Sequence, residues 1–106
     1  MMKTTAFLAL AALAALGQTD TDRVLRGAID IHVHAAPDST ERSIDSIDVA
    51  KLAKARGMRA IVLKSHYEPT ATMAFIVRKE VPGIEVFGGI GLDREAGGLN
   101  AAAVDS

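Results

Sequence analysis

Beyond residue 23, short apolar runs of period two alternate along this chain with longer amphipathic stretches of helical period. That order predicts strand, helix, strand, helix, strand and the start of a further helix, and so an α/β fold with a parallel sheet. The first strand is expected over Ala28 to His34, stopped by Pro37 and the polar residues after it. A regular pleat puts Asp30, His32 and His34 on one face, and Ile29, Ile31 and Val33 on the other. A helix follows over Ile44 to Arg56, with Ser43 as its cap, Gly57 just past its end, and Ile47, Val49, Ala50, Leu52 and Ala53 as its buried face.

The second strand, Arg59 to Lys64, repeats the first. Ala60, Val62, Lys64 and the following His66 share one parity, and Ile61 and Leu63 the other. Glu68-Pro69-Thr70 opens a helix over Ala71 to Glu80, whose inner face is Met73, Ala74, Ile76 and Val77, and Val81-Pro82-Gly83 closes it. The third strand, Glu85 to Leu92, carries Gly88, Gly89 and Gly91. Glycine weakens a strand, so these three predict a close neighbour for which side chains would leave no room. Asp93 follows that strand, and Asn100 is suited to cap a helix beginning at Ala101.

The first segment changes the picture of location. Met1 to Lys3 is short and basic, Ala6 to Leu16 is continuously apolar, and Ala15-Leu16-Gly17 offers small residues for cleavage. Residues 1–17 therefore read as a signal peptide, 18–23 as a polar linker and 24–106 as a domain; export is expected if the signal is used, and a cytoplasmic protein otherwise. The apolar run is shorter than the roughly 20 residues a membrane span requires.

Composition narrows the partners. The 106 residues include 12 Lys or Arg and 13 Asp or Glu, with neither a basic stripe nor clustered aromatics, so a nucleic-acid partner is not expected. With no cysteine, disulfides, thiolate metal sites and a cysteine nucleophile are excluded. The glycines of the third strand do not make a dinucleotide fingerprint, because Arg94 stands where its last glycine would be.

The candidate chemistry lies at the strand ends. Two imidazoles two residues apart on a strand, His32 and His34, can converge on one cation, and Asp30 in phase below them can orient an imidazole through its second nitrogen. Lys64 and His66 end the second strand on what should be the same side, where α/β sheets and barrels build their sites. His66 reads as a third ligand, a general acid/base or an exposed loop residue. Asp38, Arg42 and Thr70 read first as loop and capping residues and second as substrate contacts.

The stretches Gly27 to Pro37, Gly57 to His66, Pro69-Thr70, Val86 to Ile90 and Gly97 to Asn100 resemble, in order and spacing, the N-terminal part of an uncharacterised bacterial family related to the amidohydrolases, the metal-dependent hydrolases built on βα-barrels. The resemblance covers Val24 to Val104. It implies a TIM-type barrel holding one or two divalent metals, with His32 and His34 as first ligands, Lys64 and His66 as site residues expected to be catalytic, and Asn100 and the glycines shaping the rim, where Asn100 and the neighbouring Asp93 are expected to contact substrate. The metal is expected to be Zn, with Mn, Fe or Ni as alternatives, and the substrate a small molecule.

Two positions depart from that pattern. The lysine that bridges two metals in better-known amidohydrolases comes from a later strand than Lys64, and Asp93 stands where the family usually has Asn, adding a carboxylate near the site. Because a whole barrel takes roughly 250 residues, three strands are expected to be a fragment of one. Metal-dependent phosphoester hydrolysis, as in histidinol-phosphatase-type barrels, and a non-catalytic metal- or ligand-binding remnant are the alternative functions.

Overall fold

The computed structural model describes residues 19–106, so the signal-like segment lies outside the described residues. The polar stretch expected as a linker is helical from Asp20: α1 is Asp20–Leu25, its Asp22 amide bonded to the Thr19 hydroxyl at 3.4 Å. Arg56 Nη1 holds the Asp22 carboxylate at 2.7 Å and ties this helix to the end of the next.

There follow β1 Ile29–Val33, α2 Ser46–Ala55, β2 Ala60–Leu63, α3 Ala71–Glu80, β3 Glu85–Phe87 and α4 Ala101–Asp105. The strands form one parallel sheet in the order β1-β2-β3. These are the alternating units that the apolar rhythm predicts. Three strands close no barrel among the described residues.

The core lies between the sheet and the helices α2 and α3. Ile61, Leu63 and Val86 come from the strands, Ala50 and Ala53 from α2, and Ala74 and Val77 from α3, with Val81 and Ile84 sealing the turn into β3. Alanine at the contact positions of α2 leaves little between its backbone and the sheet, while Val33 and Val49 pack around the rim. Leu52 and Ile76, expected on inner faces, are about half exposed because the buried stripe of each helix is narrower than its apolar stripe.

The cap of α2 is Asp45 and not Ser43: the Asp45 carboxylate accepts from the Asp48 amide at 2.8 Å. A tertiary contact delays the helix. Ala36 donates its amide to the Ile44 carbonyl at 2.9 Å and accepts from the Ser46 amide at 2.9 Å, which keeps Ile44 and Asp45 extended.

The third strand stops at Phe87, well short of Leu92. From Gly88 the chain turns to the start of α3, where the Gly89 amide donates to the Thr70 hydroxyl at 2.8 Å and the Thr70 amide to the Gly89 carbonyl at 2.9 Å. Thr70 Oγ1 also donates to the Leu63 carbonyl at 2.6 Å, stapling the ends of β2 and β3 to one helix. The close neighbour that Gly88 accommodates is therefore backbone: a Cβ there would lie 2.4 Å from both Cα and N of Ala71.

The largest departure from a regular pleat is in β1. Ile29 and Asp30 pair with Ala60 and Ile61, but it is Val33 that pairs with Leu63, so Ile31 and His32 together stand opposite Val62. One extra residue in a strand reverses the parity beyond it. Asp30 and Val33 consequently lie on the helix side, lining a shallow hollow with Val49, Ala53 and Ile61, while Ile29 and Ile31 face away from the helices and are 51% and 74% exposed.

Candidate functional site

The bulge in β1 decides which side chains meet. Beyond it, His32 and His34 come together on the side away from the helices, their Nε2 atoms 3.1 Å apart and their ring centres 5.0 Å apart. Asp30 is not in phase with them. Its carboxylate accepts from the backbone amide of His32 at 2.9 Å, so it fixes the bulge and does not meet an imidazole as the regular pleat predicts.

The loop after β1 brings a second group to His34. Asp38 is buried, with 2% of its side chain exposed, and Oδ2 lies 3.9 Å from His34 Nδ1. Arg42 clamps that oxygen through Nε and Nη2, each at 2.7 Å, and the Ser39 amide donates to Oδ1 at 2.8 Å. Ser65, just past β2, reaches the same Oδ1 with its hydroxyl at 3.3 Å. This network joins the tips of β1 and β2 beneath the histidines. The Arg42 guanidinium holds the Asp38 carboxyl below its ordinary range, with the Ser39 and Ser65 bonds acting the same way, and burial opposes them.

His66 lies in the loop after β2, its ring stacked on that of His34 at 4.7 Å between centres and 23° between planes. Their faces meet. Burial lowers the affinity of His34 for a proton, and the positive charges of Arg42 and of protonated His66 and His32 add to the effect, with Asp38 opposing it. This favours the neutral form of His34, the form in which imidazole binds a metal.

Lys64 continues the parity of Val62, and its amide donates to the Val33 carbonyl at 2.8 Å, which sets it beside His34 at the strand tips. Asp93 is engaged in its own turn: Oδ1 accepts from the Ala96 amide at 3.1 Å and its carbonyl from the Gly98 amide at 2.6 Å. Asn100 occupies the cap position of α4 without a side-chain cap bond, and is exposed.

Two imidazoles suit a shared cation by distance. Nitrogens about 2.0–2.1 Å from one Zn²⁺ would stand about 3.3–3.4 Å apart in a tetrahedral site and about 2.9 Å apart at a right angle, and the observed 3.1 Å lies between. Without a cation, the same separation is that of an N–H···N hydrogen bond. Among the described residues no set of three or more His, Asp or Glu side chains is arranged to hold a metal ion.

Sequence reasoning singled out His32, His34 and His66 and missed the importance of Asp38 and Arg42. The signal was present as opposite charges four residues apart just beyond the histidines, a spacing that in a non-helical loop has no local reason. Among the described residues no helix is long and apolar enough to cross a membrane. Residues 27–106 match the model of a family described as "Family of unknown function (DUF6282)". No curated protein and no solved structure matches the chain.

Proposed function

We propose that this chain, which belongs to the family of unknown function DUF6282, acts in metal-dependent hydrolysis of a small molecule, with His32 and His34 as the first ligands of a divalent ion. One observation carries the reading: the 3.1 Å approach of two Nε2 atoms at the carboxyl end of a parallel sheet. Active sites of α/β sheets and barrels gather at that end. In this reading the sheet is the first part of a TIM-type barrel, whose interior is the face bearing Ile29, Ile31 and Phe87, and whose further strands would supply the remaining ligands.

A bound Zn²⁺ or similar ion supplies a water of lowered pKa and polarises a carbonyl. The chain's own groups bind and orient. His34, held in the cluster, offers a lone pair, and His66, exposed beside it, is proposed as the acid/base group. Lys64 lies at the same strand tips to meet a polar substrate, and Asp93 and Asn100 are proposed as rim contacts. Arg42 is committed to Asp38, so the guanidinium nearest the histidines gives no reason to prefer phosphoesters over carbonyl substrates.

The test is metal analysis of the chelator-treated protein reloaded with Zn²⁺, Mn²⁺ or Ni²⁺, alongside His32→Ala and His34→Ala, with hydrolysis of amide, ester and phosphoester panels. Metal retained by the parent and lost in both variants supports the reading. Equal retention in all three proteins overturns it.

A further inference from the structure

Among the described residues, a single buried side-chain nitrogen or oxygen has no hydrogen-bond partner: Nδ1 of His34. Its nearest charged neighbour is Asp38 Oδ2, 3.9 Å away. That carboxylate is not a loop residue turned to solvent. It is almost fully buried and fixed by Arg42 from one side and by the Ser39 amide and Ser65 hydroxyl from the other.

The two forms of neutral imidazole are not equivalent here. With the proton on Nε2, the Nδ1 lone pair would face a carboxylate oxygen in a site shielded from water, and nothing would stand between two electron-rich atoms. With the proton on Nδ1, the N–H dipole points at the anion, and about 1 Å of ring movement closes a charge-assisted hydrogen bond. The Nε2 lone pair is then directed at His32, whose own Nε2–H donates across the 3.1 Å contact in the metal-free chain.

We propose that Asp38 is the positioning residue of His34: it selects the Nδ1–H tautomer and aims the Nε2 lone pair at the point shared with His32, while Arg42 holds the carboxylate in place. This role, carboxylate behind a ligating imidazole, is the one that periodicity assigns to Asp30. The structure assigns it to Asp38, eight positions later and on a different element. The tautomer is a property of the chain without metal; only the consequence for metal affinity rests on the reading of His32 and His34 as ligands.

Long-range ¹H–¹⁵N correlation spectra of the full, ¹⁵N-labelled, metal-free chain at pH 8 read the tautomer directly. His34 is expected to show a protonated Nδ1 and a bare Nε2, and His32 the reverse. In Asp38→Ala the His34 signals move toward the Nε2–H form, and Zn²⁺ affinity, measured by chelator competition, falls about 10- to 100-fold. A wild-type His34 protonated on Nε2 overturns the proposal, as does an Asp38→Ala protein with unchanged ring signals. If Asp38→Ala does not fold, the wild-type spectrum alone decides. If the wild type binds no Zn²⁺, the metal reading fails and the tautomer still decides the role of Asp38.

Discussion

Replacing Gly88 by alanine tests how tightly the end of β3 is pressed against the start of α3. The added Cβ would lie 2.4 Å from Cα and N of Ala71 and 2.6 Å from the carbonyl carbon of Thr70. Carbon atoms in comfortable contact are about 3.5–4.0 Å apart, so strand and helix must separate by about 1 Å or more. Every atom in the way is backbone, and no side-chain rotation relieves it. Overpacking of this kind costs about 1–3 kcal/mol.

The same separation strains the two bonds joining Gly89 to Thr70, each worth about 0.5–1.5 kcal/mol and now 2.8 and 2.9 Å long. Against this, alanine restricts the unfolded chain and returns about 0.4–1 kcal/mol. The net loss is about 1–6 kcal/mol. Gly89→Ala is the control, because its Cβ meets nothing closer than the Leu63 carbonyl at 3.9 Å. Urea denaturation followed by circular dichroism should show a lower midpoint for Gly88→Ala, with Gly89→Ala much nearer the parent. Equal midpoints for the two variants would refute the packing argument, and with it the account of why β3 ends at Phe87.

Three further outcomes follow from features of the fold. Asp45→Ala should lower stability by about 1 kcal/mol through loss of the α2 cap, whereas Ser43→Ala should leave thermal unfolding unchanged. Ile31→Ser, at a site 74% exposed, should cost within about 0.5 kcal/mol, and Val33→Ala, packed on the core, should cost distinctly more; a regular pleat would make the two alike. The carboxyls of Asp22 and Asp38 are both held below the ordinary 3.8 by hydrogen bonds from Arg56 and Arg42 respectively. The unfolded chain therefore takes up protons first, so their stabilisation is complete above about pH 3.8 and is lost as pH falls through the lower folded values. Arg42→Gln should narrow that acid range in a pH series of denaturation midpoints.

Much of this architecture is written locally. The branched and apolar run Ala60–Leu63 forms the central strand, and Ala71–Glu80 is helical over the range its flanking Thr70 and Val81-Pro82-Gly83 predict. What sequence periodicity could not supply came from contacts between distant residues. The Ala36 pairing delays α2 past Ser43, and the Gly88–Ala71 approach shortens β3. At the site, the histidines themselves were legible from spacing. Their support was not: the bulge moves Asp30 to the helix side, and the carboxylate beside His34 comes from Asp38, whose role depends on how its loop folds back against Ser65.

The extra residue in β1 also divides the strand into two stretches subject to different demands. Before it, Asp30 answers to α2; beyond it, the chain must satisfy the core through Val33 and the histidine cluster through His34 on alternate sides. Removing Ile31 would restore even pairing and still leave Asp30 and Val33 on the helix side with His34 opposite, so both demands would continue to be met and only the bulge itself, fixed by the Asp30–His32 bond, would be lost. In this chain Ile31 should therefore be the residue of β1 whose replacement or loss disturbs either side least.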